Sequence, residues 1–178
     1  TVTKFIHSDG SETAIKAVPS QSTFIDKETG TVDIRLTDRN KYSIFISSST
    51  GCYLQCQFCH LTIKNSTYKK LKANGVLQNI KDALENEIGV RPDLKNRFVK
   101  ICWMGMGDAL NQPDMVYDVT MELMDWIMEN GYAAGLDSVD VSTVMPNVDD
   151  RWIGIFAHLN NALTKYPLNP DTAMVEQA

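Results

Sequence analysis

Tyr42-Ser43-Ile44-Phe45-Ile46-Ser47-Ser48-Ser49-Thr50-Gly51-Cys52-Tyr53-Leu54-Gln55-Cys56-Gln57-Phe58-Cys59-His60 is the stretch from which the rest of the chain can be read. Residues 42–47 are apolar and β-prone, which predicts the first strand of the main sheet. That strand delivers the chain to a loop carrying Cys52, Cys56 and Cys59 in the spacing Cys-x-x-x-Cys-x-x-Cys. Ligand sites of α/β sheets and barrels gather at this C-terminal end of the strands. Three thiolates on one short loop can hold three corners of a cubane iron–sulfur cluster. Electron-transfer clusters are closed by four cysteines, so a trio leaves one iron open to a small molecule. A zinc site from Cys52, Cys56, Cys59 and His60 is the competing reading. Structural zinc sites usually join two separated ligand pairs, whereas ligands confined to positions 52–60 tie no distant segments together. A disulfide scaffold fits less well, because a chain of this size with four cysteines needs no staples.

Outward from the loop, the order of elements is legible. Upstream, residues 13–18 and 31–36 read as strands, with Lys27-Glu28-Thr29-Gly30 as a turn before the second. Downstream, Leu77, Ile80, Leu84 and Ile88 recur at helical spacing and predict a helix over 76–88, stopped by Gly89. Residues 98–104 are a short apolar run suited to a second strand. Pro113 opens and Gly131 closes a helix over 113–130, with Met115, Val119, Leu123, Trp126 and Ile127 inward. Residues 138–143 read as a third strand. Asp149 or Asp150 would cap a last helix that turns Trp152, Phe156, Leu159 and Leu163 to the core. No element is evident after Pro167. The alternation predicts an α/β fold with a parallel sheet and helices outside.

The 178 residues suit one domain, and 43% hydrophobic content supports a core. No apolar run reaches membrane-spanning length. The start, Thr1-Val2-Thr3-Lys4, has no apolar signal region, so the expected location is cytoplasmic. A net charge of −5 excludes a globally basic nucleic-acid binder. The charge is uneven, however. Lys64, Lys69, Lys70, Lys72, Lys81, Arg91, Lys95, Arg97 and Lys100 make a basic middle, suited to RNA phosphates or to a solvated face.

A second segment, Trp103-Met104-Gly105-Met106-Gly107-Asp108-Ala109-Leu110-Asn111, ends the second strand. Its two glycines let backbone approach a ligand closely. Together the two segments resemble the radical S-adenosylmethionine (SAM) superfamily, and within it the RlmN/Cfr branch of RNA adenine methyltransferases. The second segment is similar to that branch's Met-Gly-Met-Gly-Glu-Pro-Leu-Leu-Asn. Residues 46–51 look like its Val-Ser-Ser-Gln-Val-Gly. Val141-Ser142-Thr143-Val144-Met145-Pro146 is similar to its third-strand Ser-Thr-Ser-Gly-x-x-Pro.

The resemblance implies a 4Fe–4S cluster on Cys52, Cys56 and Cys59, with SAM on the open iron. It places Phe58 at the adenine and Gly105, Met106 and Gly107 along the methionine end. Asp108 stands where the family has a glutamate that accepts from the SAM amino group, and Ser142 would approach the carboxylate or ribose. It implies an RNA substrate, rRNA or tRNA, and an electron donor.

The implied fold is a partial (β/α) radical SAM barrel of about three strand–helix units over 42–166. A short β hairpin extension would precede it over 1–41, and a tail would follow over 167–178. The family barrel has six units, so a partner chain or a homo-oligomer is expected to complete this one. The family also uses two accessory cysteines. One lies late in the barrel, and the other lies seven residues before the first cluster cysteine, where this chain has Phe45. Methyl transfer by these residues alone is therefore not expected. The alternative is a truncated, non-catalytic relative, or half of a split enzyme, that binds metal or a partner. No residue is assigned a catalytic role, and Cys102 reads as a small buried hydrophobe.

Overall fold

The computed structural model describes residues 1–17, 22–25, 29, 32–35, 40–64, 66–144 and 150–170. Its strands are β1 (Val2–Ile6), β2 (Glu12–Ala17), β3 (Ser22–Ile25), β4 (Val32–Arg35), β5 (Lys41–Ile46), β6 (Ser49–Thr50), β7 (Lys69–Lys70), β8 (Phe98–Trp103) and β9 (Gly135–Val141). Its helices are α1 (His60–Ile63), α2 (Ala73–Val90), α3 (Pro113–Glu129) and α4 (Asp150–Leu163). The main sheet runs β1-β2-β5-β8-β9. β5, β8 and β9 are parallel, while β1 and β2 add antiparallel on the other side of β5. The result is a mixed α/β fold with a parallel core.

Alternation in β5 decides which face is covered. Tyr42, Ile44 and Ile46 are buried and meet Val99, Ile101 and Trp103 of β8 in the core. The helices supply the other half of that core. Leu77, Ile80, Leu84 and Ile88 of α2 are all buried, as are Met115, Val119, Leu123 and Ile127 of α3. Each such aliphatic side chain contributes about 1.5–3 kcal/mol by leaving water. α3 packs against both α2 and α4. The Trp103 indole donates to Thr120 Oγ1 at 3.0 Å, so its one polar atom is satisfied inside.

The opposite face mixes polar and apolar side chains. Lys41, Ser43 and Phe45 alternate with the core residues of β5, and Phe45 is the register partner of Cys102. Lys100 pairs with Asp140 at 2.6 Å and Lys41 with Asp137 at 3.4 Å. The Asp140 carboxylate holds the Lys100 ammonium above its ordinary pKa, against a smaller opposing effect of burial.

Four expectations change. β5 is the third strand of the main sheet rather than the first. An apolar strand at an edge would leave a row of backbone groups unpaired, and β2 covers it. β1 had no clear sequence signal, since its residues alternate between half-buried and exposed. α2 runs through Gly89 to Val90, because a glycine near a helix end weakens but does not end it. The Pro92–Asn96 turn does that. Finally, the tail expected over 167–178 is tied to the sheet at its described start. Leu168 bridges Leu136 in parallel, and the Asn169 amide donates to Asp137 Oδ1 at 2.6 Å. The turn expected at 27–30 and the cap at Asp149 fall mostly outside the described residues, as do Met145 and Pro146. Among the described residues, no helix is long and apolar enough to cross a membrane.

Candidate functional site

The cysteine loop and the glycine loop are locked together at the ends of β5 and β8. Ser47, Ser48 and Ser49 follow β5 and are all buried. They lie along Gly105-Met106-Gly107. Gly105 N donates to Ile46 O at 2.9 Å, continuing the sheet by one bond. Ser48 N and Ser49 N both donate to Met106 O, at 2.9 and 3.3 Å. Met106 N donates to Ser47 Oγ at 3.2 Å, and that hydroxyl donates on to Glu12 O at 2.7 Å. Gln112 Nε2 donates to Ser48 O at 2.7 Å.

This contact explains both glycines. A Cβ on Gly105 would stand 2.7 Å from Ile46 O and from Ser47 Oγ. Gly107 has φ +89°, and a Cβ there would overlap Ser49 Oγ and stand 2.7 Å from Ser48 Oγ. The small residues are required by the serine strip itself.

Beyond Ser49 the chain enters the cysteine loop. Gln55 has φ +48°, unusual for a residue with a side chain. Cys59 N donates to Cys56 O at 2.9 Å, closing a turn, and α1 starts at His60. Cys52, Cys56 and Cys59 are free thiols and half-buried. Burial pushes the Cys52 thiol above its ordinary pKa. Cys56, Cys59 and Asp108 push the same way, while a Leu54 backbone hydrogen bond opposes them. Among the described residues, no three His, Cys, Asp or Glu side chains gather closely enough to hold one metal ion. The loop is braced by Tyr53, whose hydroxyl donates to Asn111 Oδ1 at 2.6 Å and whose ring meets Tyr68 edge-on at 5.3 Å.

Asp108 is 5% exposed and is engaged on both oxygens. Oδ1 accepts from Leu110 N at 3.0 Å, capping the short turn Ala109–Asn111. Oδ2 accepts from Val144 N at 3.0 Å. Thr143 Oγ1 stands 2.8 Å from each oxygen. The carboxylate thus clamps the end of β9 to the end of β8.

The expected site residues therefore divide. Gly105, Met106, Gly107 and Asp108 come together with the cysteine loop. Phe58 is 84% exposed. The Ser142 side chain is also exposed, and its backbone N donates to Trp103 O at 3.2 Å. Thr143, Tyr53 and Gln112 were not singled out from sequence. Their roles depend on which strand ends meet, and no local pattern reports that.

Cys102 is 2% exposed, as a small core residue would be. Burial, and secondarily Asp140, push its thiol up to about 11. Only the thiolate reacts with alkylating agents, so at pH 8 roughly a thousandth of this group is available. Native chain treated with iodoacetamide at pH 8 is expected to be alkylated at the three half-buried cysteines before Cys102. The fourth should follow only on denaturation. Its native rate should climb about tenfold per pH unit toward that value, and peptide mapping by mass spectrometry reads both.

No protein-family model matches the chain. Curated relatives do. Over 151 residues it is 26% identical to a dual-specificity RNA methyltransferase RlmN from Bradyrhizobium diazoefficiens, covering 83% of this chain and 36% of the relative. Over 154 residues it is 30% identical to the RlmN of Saccharophagus degradans, covering 76% and 37%. The chain is a relative of the RlmN RNA methyltransferases. It spans little more than a third of the length of these RlmN relatives. The RlmN of Helicobacter pylori is 34% identical over 95 residues, covering 52% of the chain and 23% of the relative. Among solved structures, a radical SAM methyltransferase from Sphaerobacter thermophilus aligns with 72% of this chain and 33% of its own. The TM-score is 0.38 and the identity 19%.

Proposed function

We propose that this chain is the cluster- and SAM-binding portion of a radical SAM protein of the RNA adenine methyltransferase type. The observation that carries the reading is the interlock of the cysteine loop with Gly105-Met106-Gly107 through Ser47, Ser48 and Ser49. It brings the two chemistry-bearing segments to one end of the parallel strands, where α/β ligand sites form.

The donor set suits a cluster better than a single ion. Around one zinc, Zn–S bonds of about 2.3 Å would draw the sulfurs to within about 4 Å of each other. A cubane takes each thiolate on a different iron, so its ligands stand farther apart on a looser loop. Cys52, Cys56 and Cys59 would hold that cluster. When bound, it supplies one electron for cleavage of the SAM sulfonium, releasing a 5′-deoxyadenosyl radical.

The protein's own residues would position the cofactor. Phe58 offers an exposed ring to the adenine. The 105–107 backbone borders the methionine end. Asp108 accepts three donors already, and an ionised carboxylate has about four acceptor positions, which leaves one for the SAM amino group. Ser142 offers an exposed hydroxyl at the end of β9. The parallel strands β5, β8 and β9 would be the first units of a (β/α) barrel. RNA would be the substrate, and an electron donor would be needed. Phe45 offers no thiol on the open face of β5, so methyl transfer would need groups beyond those described.

Anaerobic reconstitution with iron and sulfide, followed by reduction with SAM, tests the reading. About four irons per chain and release of 5′-deoxyadenosine are expected from the cysteine spacing. Cys56→Ala should lose most of the iron and all detectable 5′-deoxyadenosine. A Cys56→Ala chain that still makes it would remove the ligand assignment, and wild-type chain that binds zinc instead would remove the reading.

A further inference from the structure

A cavity of about 600 Å³ opens beside the turn that follows the glycine loop. Three segments line it: Lys70 of β7, residues 110–115, and Arg151, Trp152 and Ile155 of α4. The volume lies within the range of ligand pockets, about 300–1,000 Å³. Among the described residues that line it, Lys70 and Arg151 are cations and Asp114 is an acid, and the neighbouring Lys69 is exposed. Trp152 is half-buried and lines the cavity.

Two amides complete the lining, and each is oriented by one bond. Asn111 accepts from Tyr53 through Oδ1, and Gln112 donates to Ser48 O through Nε2. Those bonds leave the amide nitrogen of Asn111 as a donor and the amide oxygen of Gln112 as an acceptor. An aromatic face, a pair of cations and a donor–acceptor pair are what a nucleotide requires. Bases stack on indoles whatever their identity, and phosphates follow cations. The Tyr53–Asn111 bond also joins the cavity directly to the cysteine loop.

We propose that this cleft holds one nucleotide unit of a single-stranded RNA, its base against Trp152 and its phosphate between Lys70 and Arg151. The unit lies outside the cluster site and grips the strand next to the segment presented there. The identity of the partner rests on the function proposed above, and the cleft itself does not.

The test is fluorescence anisotropy of a labelled short oligoadenylate with the full chain, free of cluster, and with AMP as competitor. Wild-type chain should bind the oligomer, with AMP competing only at much higher concentration. Trp152→Leu should weaken binding by about tenfold or more, the loss expected for one stacked base. Lys70→Gln, at an exposed position, should flatten the log affinity against log salt slope by about 0.7.

Variants that bind as tightly as wild type with an unchanged slope would overturn the proposal. So would absence of RNA binding, or AMP competing at the oligomer's own concentration, which assigns the cleft to a free nucleotide. The iron and 5′-deoxyadenosine assays score the proposed function separately. Their failure alongside a Trp152→Leu defect would leave the cleft standing.

Discussion

Asp108→Ala is expected to lower the free energy of unfolding by about 3 kcal/mol, the sum of a lost cap and of donors left without a partner. The carboxylate is 5% exposed and takes the N–H of Leu110, the N–H of Val144 and the hydroxyl of Thr143. Truncation leaves all three facing a void. Asp108→Asn discriminates this clamp from a simple charge effect. Each carboxylate oxygen accepts from a backbone N–H, so either orientation of an asparagine sets an NH₂ against one of them. The asparagine variant should therefore lose about 1–2 kcal/mol despite its matching shape. Thr143→Val removes one donor and leaves the backbone bonds, so it should cost about 1 kcal/mol. Urea unfolding followed by circular dichroism measures the series. An asparagine variant as stable as wild type would mean that the clamp contributes little.

Gly107→Ala is expected to be as damaging, at about 3 kcal/mol. A φ of +89° carries roughly 1–2 kcal/mol for a residue with a Cβ. Overlap with Ser49 Oγ adds overpacking of about 1–3 kcal/mol. Ser49 has no free direction in which to yield, because its hydroxyl donates to Gly51 O at 2.8 Å inside the protein. Shifting it would disturb the entry to the cysteine loop. The alanine variant should therefore also retain less iron after reconstitution. Gly75→Ala in α2 is the control, since nothing lies within 4 Å of its added Cβ. It should be neutral or stabilising by about 0.5–1 kcal/mol. Equal stability of the two variants would show that the glycine loop is not held by the serine strip.

Much of the scaffold was legible because its signals are local. Leu77, Ile80, Leu84 and Ile88 repeat at helical spacing, and the helix they predict buries all four. Tyr42, Ile44 and Ile46 alternate, and the strand they predict turns all three into the core. β1 was missed because its burial is shallow and comes from pairing with β2, which lies across a turn. The pairing of Leu168 with Leu136 was missed for a different reason. A single bridge between distant residues leaves no periodic trace.

From sequence alone came the chemistry on offer: three thiols at a spacing that suits a cluster, a glycine pair after a strand, and the likeness to a family of RNA methyltransferases. These are facts of order and side-chain type, and the linear chain carries them. Only the folded chain decided what holds those parts to each other. Ser47, Ser48 and Ser49 meet Gly105 and Gly107 because β5 and β8 lie side by side in parallel. Asp108 finds Thr143 because β9 lies next to β8. Hydrogen bonds and steric overlaps act over a few ångströms, so their partners are set by strand order, which a reading along the chain does not contain.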